Sequence, residues 1–129
     1  MKGYLIDTSI ALTALGEPKH LTKTARRALD RGPAYISLIA YWEVMVKSMK
    51  GTLQVGDPRR WWAETLEALN LLPLLWRPEH VAELYNLPAI HQDPFDRAMI
   101  AQAIAEDLVL VTSDSAIPQY ASGSFQPLT

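Results

Sequence analysis

Residues 91–114 read HQDPFDRAMIAQAIAEDLVLVTSD, and the fold is read most directly from this stretch. Asp93 is placed to cap a helix whose first residue is Pro94, and Asp96 then falls in the first turn, where a carboxylate meets the positive end of the helix dipole. The apolar run over residues 108–112 is typical of a strand covered on both faces. The stretch predicts a helix and then a buried strand. Its acids serve either the helix start alone or also a site.

The same alternation of strand and helix runs through the rest of the chain. Short apolar strands are predicted at residues 4–6 and 35–37, and each leads directly into a helix. Residues 71–75 are predicted to form an irregular or edge strand, because Pro73 cannot donate to a ladder. Further helices are predicted at residues 22–30, 57–70 and 78–85. Strands that alternate with helices indicate an α/β domain with a parallel sheet and helices on both sides.

Several large apolar side chains recur at helical spacing in the helix LIAYWEVMVKSMK: Leu38, Tyr41, Trp42, Met45 and Met49. This spacing predicts that Tyr41 and Trp42 pack into the core rather than stack on nucleic-acid bases. The next helix carries Trp61 and Trp62 side by side. Adjacent residues cannot both face inward on one helix, so one of the two is available for a protein interface.

Composition limits the class of protein. The 129 residues are predicted to form one domain, residues 1–129, with 49% hydrophobic and 20% charged side chains. There is no cysteine, which excludes disulfides and thiolate chemistry, and no apolar run long enough for a membrane span, so a cytoplasmic protein is the simplest interpretation. The net charge of −2 and pI near 5.9 are unusual for a protein that binds a polyanion through a broad basic surface.

Four acids each have a simple local explanation. Asp7 can cap the helix after the first strand, and Glu43 lies four residues before Lys47, the favourable order for an exposed ion pair. Asp96 suits the helix dipole, and Asp114 suits the turn after residues 108–112.

Taken together, however, the four acids are predicted to meet at one crevice. Ligands of parallel α/β sheets bind outside the carboxyl ends of the strands, and these acids follow strand ends or begin the adjoining helices. Carboxylates packed closely repel one another unless a cation lies between them. Mg²⁺ or Mn²⁺ fits an all-oxygen site, and such a site activates a water and stabilises charge on a phosphodiester under attack. Bound cations would also attract the polyanion that the acidic chain does not.

The motifs LIDTS, ISLIAYWEVMVKSMKGTL, HQDPFDRAMIAQA and LVTSD follow one another along the chain. In this order and at these separations they resemble the PIN-domain ribonucleases, and among them the VapC-type toxins of toxin–antitoxin pairs. The resemblance implies a three-layer α/β/α sandwich with a central, mainly parallel sheet. It also implies an endoribonuclease that uses Mg²⁺ or Mn²⁺, a cognate antitoxin and a homodimer.

The resemblance assigns roles residue by residue. The four family acids, as metal ligands and catalytic residues, match Asp7, Glu43, Asp96 and Asp114. Asp93 matches a less constant acid, and the hydroxyl-bearing neighbours that orient the acids match Thr8, Ser9, Thr112 and Ser113. Gln92 departs from the family, where a basic residue is common, and the tail 115–129 matches only loosely, so the last strand is undecided.

Two rival functions stay open. Asp7 can instead be the nucleophile of an aspartyl-phosphate enzyme, although such enzymes usually carry a second Asp where this chain has Ser9. The domain can also be a PIN-like scaffold that binds RNA or protein without cutting, which the presence of all four acids disfavours. Among the remaining polar residues, Lys47, Lys50 and Arg97 are candidates for phosphate contacts or counter-charges. The histidines His20, His80 and His91 are scattered, so no histidine metal site is expected, although His91 lies close to the acids.

Overall fold

The computed structural model describes residues 2–90, 93–114, 117–122, 125, 127 and 128. Met1, His91, Gln92 and residues 115, 116, 123, 124, 126 and 129 lie outside the described residues. The strands are β1 (Tyr4–Ile6), β2 (Ala34–Ser37), β3 (Leu72–Leu74) and β4 (Val109–Val111). The helices are α1 (Thr8–Gly16), α2 (Lys23–Arg31), α3 (Leu38–Met49), α4 (Pro58–Ala68), α5 (Pro78–Glu83) and α6 (Pro94–Glu106). Short 3-10 helices lie at Pro18–His20, Leu84–Asn86 and Ile117–Tyr120.

The four strands form a parallel sheet in the order β3-β2-β1-β4. β1 lies centrally, with Tyr4 beside Ala34 on one side and Val109 on the other. β3 is an edge strand, as Pro73 predicts. All carboxyl ends therefore lie at one edge, which is the edge where Asp7 follows β1 and residues 112–114 follow β4.

Side chains that alternate along the central strands enter two separate cores. Leu5 and Leu110 pack with α6 on one face, and Ile6 and Val111 pack with α1, α2 and α4 on the other. All four side chains are completely buried. A sheet covered on both faces accounts for the continuous apolar run in β4. The α/β/α sandwich is confirmed.

The boundaries differ from the predicted ones mainly at element ends. α4 ends at Ala68 rather than at residue 70, and the predicted helix 78–85 is α-helical only to Glu83 before a 3-10 turn completes it. Where the last strand was undecided, the described residues include a parallel bridge from Leu128 to Val111, with the Leu128 N–H donating to the Leu110 carbonyl oxygen at 2.8 Å. Among the described residues, no helix is both long and apolar enough to cross a membrane.

Helix α3 turns its predicted apolar face outward, so the prediction that Trp42 packs in the core is wrong. Trp42 is 59% and Met49 79% exposed. The buried face of α3 consists of Ile39, Ala40, Glu43 and Val44. The sequence pattern did not identify this inward face, because two of its residues are small or acidic. The larger apolar side chains on the opposite face recur at helical spacing and gave the stronger signal. We call Leu38, Trp42, Met45 and Met49 the α3 stripe.

The aromatic residues next to the stripe pack on one another. Tyr41 is half-buried and stacks on Trp62, with ring centroids 5.4 Å apart, and Trp61 is buried in the core. Trp42 meets the ring of Phe95 edge-on, with centroids 5.1 Å apart. The tryptophan that is open to solvent on this surface is thus Trp42, rather than either member of the adjacent pair.

Candidate metal centre

Asp7 is fixed at the carboxyl end of β1 by three hydrogen bonds. Its N–H donates to the Val111 carbonyl oxygen at 2.9 Å, which continues the β1–β4 ladder by one residue. Its Oδ1 accepts the Thr8 N–H at 2.7 Å, so Asp7 caps α1, and its Oδ2 accepts the Thr112 hydroxyl at 2.6 Å. Only 4% of the residue is exposed. Asp7 is therefore both a helix cap and a buried carboxylate, and one role does not exclude the other.

Glu43 reaches the same place from α3, which begins after β2 with Ser37 as its N-cap. Its Oε1 accepts the Thr8 hydroxyl at 2.7 Å, and its Oε2 accepts the Lys47 ammonium at 2.7 Å. The predicted pair with Lys47 is present, but the Glu43 side chain is only 6% exposed. It is a buried carboxylate rather than half of a surface pair. Thr8 links it to Asp7, since the N–H of Thr8 binds one acid and its hydroxyl the other.

The two acids at the start of α6, Asp93 and Asp96, lie in different environments. Asp93 is the N-cap, and its Oδ1 accepts the N–H groups of Phe95 at 2.9 Å and Asp96 at 3.3 Å. Asp96 lies in the first turn and is 7% exposed. A carboxylate at that position gains from the helix dipole without needing to be buried. The helix dipole therefore accounts for the charge of Asp96 at this position but not for its burial.

Asp114 completes the edge from β4 and is tied to Asp7 through one hydroxyl. Its N–H donates to Thr112 Oγ1 at 3.0 Å, and that hydroxyl donates to Asp7. A second connection runs from Ser113 to Ser9, whose hydroxyl oxygens lie 2.9 Å apart, and Ser9 donates to Asp7 Oδ2 at 3.4 Å. Hydroxyl groups of residues that follow β1 and β4 thus orient the Asp7 carboxylate and hold the main chain of Asp114.

All five acids line one cavity of about 310 Å³, which we call the acid cavity. Its lining comprises Asp7, Thr8, Ser9, Leu12, Glu43, Lys47, Thr52, Leu53, Asp93, Asp96, Ser113 and Asp114. Thr112 is completely buried and bonds to Asp7. The structure thus brings together the four predicted ligands, Asp93 and the predicted hydroxyl residues. Of the candidate phosphate contacts, Lys47 lines the cavity, whereas Lys50 and Arg97 lie outside this lining. Arg97 Nη1 donates to the Pro88 carbonyl oxygen at 2.8 Å and the Tyr120 hydroxyl at 3.2 Å.

The electrostatics of the cavity favour a cation. Burial raises the pKa of Asp7, and the neighbouring charges of Glu43 and Asp114 raise it further, against the opposing hydrogen bonds from Thr112 and Thr8. A carboxylate held in such surroundings is stabilised when a positive charge neutralises it. The donors are all oxygens, which suits Mg²⁺ or Mn²⁺. The acid cavity therefore fits a hard divalent cation.

A second group of possible metal ligands lies at the C-terminal end of α6. Its members belong to α5 and α6, which are separated along the chain, so the sequence pattern did not indicate it. Glu79, His80 and Glu106 place one ligand atom each within 4.8 Å of one another. His80 is completely buried; its Nδ1 accepts the Arg77 N–H at 3.0 Å, so Nε2 carries the proton and donates to Glu106 at 2.8 Å. The Nδ1 contact thus closes the start of α5, and the Nε2 contact holds α5 against α6. Among the described residues this group is better suited to packing than to binding a cation.

Comparison with known proteins settles the family. The family model described as PIN domain matches residues 4–123. The chain belongs to the PIN domain family. Curated protein sequences give no significant match.

Solved structures with the same fold include several toxin–antitoxin complexes. VapBC2 from Rickettsia felis, bound to a DNA fragment from its promoter, has a TM-score of 0.67 at 16% identity, covering 96% of this chain and 97% of the other. VapBC-5 from Mycobacterium tuberculosis has a TM-score of 0.64 at 17% identity, covering 99% and 98%. A toxin–antitoxin complex from Klebsiella pneumoniae has a TM-score of 0.60 at 22% identity, covering 96% of each chain. At these identities the similarity establishes the PIN fold over nearly the whole chain.

The raised pKa of Asp7 predicts that Asp7→Asn melts at a higher temperature than the wild type in EDTA at neutral pH, because Asn carries no buried charge. As the pH falls through the raised pKa, the wild type binds a proton and the difference narrows. The difference disappears below pH 3.8, the ordinary pKa of Asp. Thermal melting across pH measures it.

Asp57→Asn is the control for this experiment. Asp57 caps α4 on the surface, and Arg59 lowers its pKa to about 2. This substitution should lower the melting temperature at neutral pH, and its effect should be lost as the pH falls from 3.8 towards 2. If Asp7→Asn behaves like Asp57→Asn, the Asp7 carboxylate is an ordinary helix cap.

Proposed function

We propose that the protein is a metal-dependent endoribonuclease and the toxin of a toxin–antitoxin pair. The observation that carries the proposal is the acid cavity, where carboxylates from the ends of β1 and β4 meet those of α3 and α6. Membership of the PIN family and the similarity to VapBC structures support it. Asp7, Glu43 and Asp96 are all buried at this edge, and neither helix capping nor a helix dipole requires burial.

In this proposal the divalent cation is held by Asp7, Glu43, Asp96 and Asp114. When bound, it supplies an activated water and stabilises negative charge on the phosphodiester during hydrolysis. The protein's own part is orientation. Thr8 fixes Asp7 against Glu43, and Thr112 fixes Asp7 against Asp114, so the acids lose little freedom when they bind a cation. Asp93 lines the same cavity while it caps α6, which gives it a secondary role.

The proposed cation also explains how an acidic protein accepts RNA. The net charge is −2, and five carboxylates line the cavity, so a phosphodiester would be repelled from a cavity without a cation. Divalent cations reverse the local charge and provide positions that phosphate oxygens can occupy. RNA binding is therefore expected to depend on the metal.

The aspartyl-phosphate alternative has less support. Both carboxylate oxygens of Asp7 accept short hydrogen bonds. These bonds stabilise the carboxylate anion and so reduce its nucleophilicity. The position two residues further along carries Ser9, whose hydroxyl contacts Asp7 rather than supplying a second carboxylate. Trapping of beryllofluoride at Asp7 would restore this alternative.

We propose an antitoxin as the protein partner, bound beside the acid cavity. An apolar groove of about 360 Å³ runs between α1 and α4, and Leu12 lines both this groove and the acid cavity. Leu15, Val55 and Trp61 supply other parts of its apolar wall. An antitoxin segment with apolar side chains for the groove would bring a basic side chain to the carboxylates.

We also propose that the protein forms a homodimer through the α3 stripe. A monomeric protein rarely leaves Trp42 and Met49 so exposed on one helix face. This surface replaces the adjacent pair Trp61 and Trp62 that the sequence suggested, because Trp61 is buried and Trp62 is half-buried against Tyr41.

Asp7→Asn is expected to lower RNA cleavage in Mg²⁺ or Mn²⁺ by several orders of magnitude, because the central ligand is lost while the helix cap can still form. Cleavage of a single-stranded RNA by the purified protein is the measurement, with Asp57→Asn as a control of unchanged activity. Excess EDTA should stop the wild type. Cleavage that continues undiminished in EDTA would exclude the metal mechanism.

Light scattering at tens of micromolar protein is expected to give a dimer for the wild type and a monomer for Trp42→Glu, which places a charge in the α3 stripe. Arg27→Glu on α2, a charge reversal of an exposed residue, should remain dimeric. A monomeric wild type would contradict the dimer. An antitoxin complex in which the acid cavity stays open to solvent would contradict the proposed placement of the basic side chain.

A further inference from the structure

Lys47 places a positive charge inside the acid cavity. Its Nζ lies 2.7 Å from Glu43 Oε2, and its side chain is 47% exposed while that of Glu43 is 6% exposed. Among the described residues that line the cavity, Lys47 is the single cationic side chain beside five carboxylates. The hydrogen bond to Glu43 raises the pKa of Lys47 against the opposing effect of burial, and the charges of Glu43, Asp93 and Asp96 raise it further. The ammonium therefore neutralises part of the negative charge of the cavity.

The pairing competes with any divalent cation that Glu43 holds. Oε1 of Glu43 already accepts the Thr8 hydroxyl, and Oε2 is the oxygen that Lys47 occupies. A divalent cation held by the same carboxylates would bring a second, larger positive charge into the cavity, and cations this close repel each other strongly where water is scarce. Binding of either cation to Glu43 therefore weakens the binding of the other.

The two partners differ in how easily they can move. Glu43 is buried and held by Thr8, so it stays in place. Lys47 is half-exposed on a flexible four-carbon chain at the cavity rim, so its ammonium can turn into solvent and regain hydration. Separation of the pair therefore moves only the lysine.

We propose that Lys47 is a built-in counter-ion of the acid cavity, which pairs with Glu43 while the carboxylates hold no divalent cation and leaves Glu43 when one binds. The inference rests on the proposed metal site and adds a residue that opposes metal binding. Lys47 thereby stabilises the metal-free fold against the repulsion of its own acids, and it weakens the affinity for the metal. The fold therefore depends less on bound metal, and the acid cavity needs a higher metal concentration to be filled.

The test compares Lys47→Gln with the wild type, using Mn²⁺ as the probe and Lys50→Gln as the matched control. Lys50 follows α3, is exposed and does not line the cavity, so its substitution removes the same charge without removing the pair. In EDTA, Lys47→Gln should melt at a lower temperature than the wild type. By calorimetry it should bind Mn²⁺ about three- to tenfold more tightly, whereas Lys50→Gln should match the wild type.

NMR signals of the lysine ammonium groups, recorded for the wild type during a Mg²⁺ titration, distinguish displacement of Lys47 from a general effect of charge. The hydrogen-bonded ammonium signal of Lys47 should be lost on saturation with Mg²⁺ and return on addition of EDTA. Equal or weaker Mn²⁺ affinity in Lys47→Gln, or a Lys47 signal that survives saturation, would overturn the inference while leaving the metal site intact. If Mn²⁺ binds neither protein, or binds Asp7→Asn as tightly as the wild type, both the metal site and this inference fail.

Discussion

The burial of the Asp7 carboxylate at the carboxyl edge of the sheet is the constraint on which the rest of the site depends. Backbone pairing with Val111 fixes its position, and Thr8 and Thr112 fix its orientation. The Thr8 hydroxyl also donates to Glu43, and the Thr112 hydroxyl accepts the Asp114 N–H, so the Glu43 side chain and the Asp114 backbone are held with reference to Asp7. An isolated domain gains nothing from this crowding, because burial and like charges raise the pKa of Asp7 and so disfavour its charged form. The arrangement is understandable if a cation is part of the working protein.

The chain offsets this crowding in several ways that do not require a metal. Lys47 neutralises one oxygen of Glu43, the first turn of α6 places the helix dipole near Asp96, and hydroxyl groups donate to Asp7. These interactions lower the free-energy cost of the buried charges in the metal-free protein. A divalent cation must displace or outweigh these interactions when it binds. The stability of the metal-free fold and the affinity of the site for the cation are therefore linked.

Much of this architecture is predictable because the deciding signals are local. The run in β4, the strand Tyr4–Ile6 and the Asp93-Pro94 start of α6 follow from apolar runs and capping, and the parallel-sheet rule then brings the acids to one edge. The orientation of α3 was not predictable in this way. Its inward face joins Ile39 and Val44 to the small Ala40 and the acidic Glu43, while larger apolar side chains such as Trp42 recur at helical spacing and point outward. The His80–Glu106 contact joins residues 26 positions apart, so no spacing rule reveals it.

The central claim is that a divalent cation binds in the acid cavity. The most direct measurement is anomalous scattering from crystals of the metal-free protein soaked in Mn²⁺. A metal centre in the acid cavity predicts a peak among Asp7, Glu43, Asp96 and Asp114, and its absence from crystals of Asp7→Asn. A peak that instead lies among Glu79, His80 and Glu106, with none in the acid cavity, would contradict this placement of the cation.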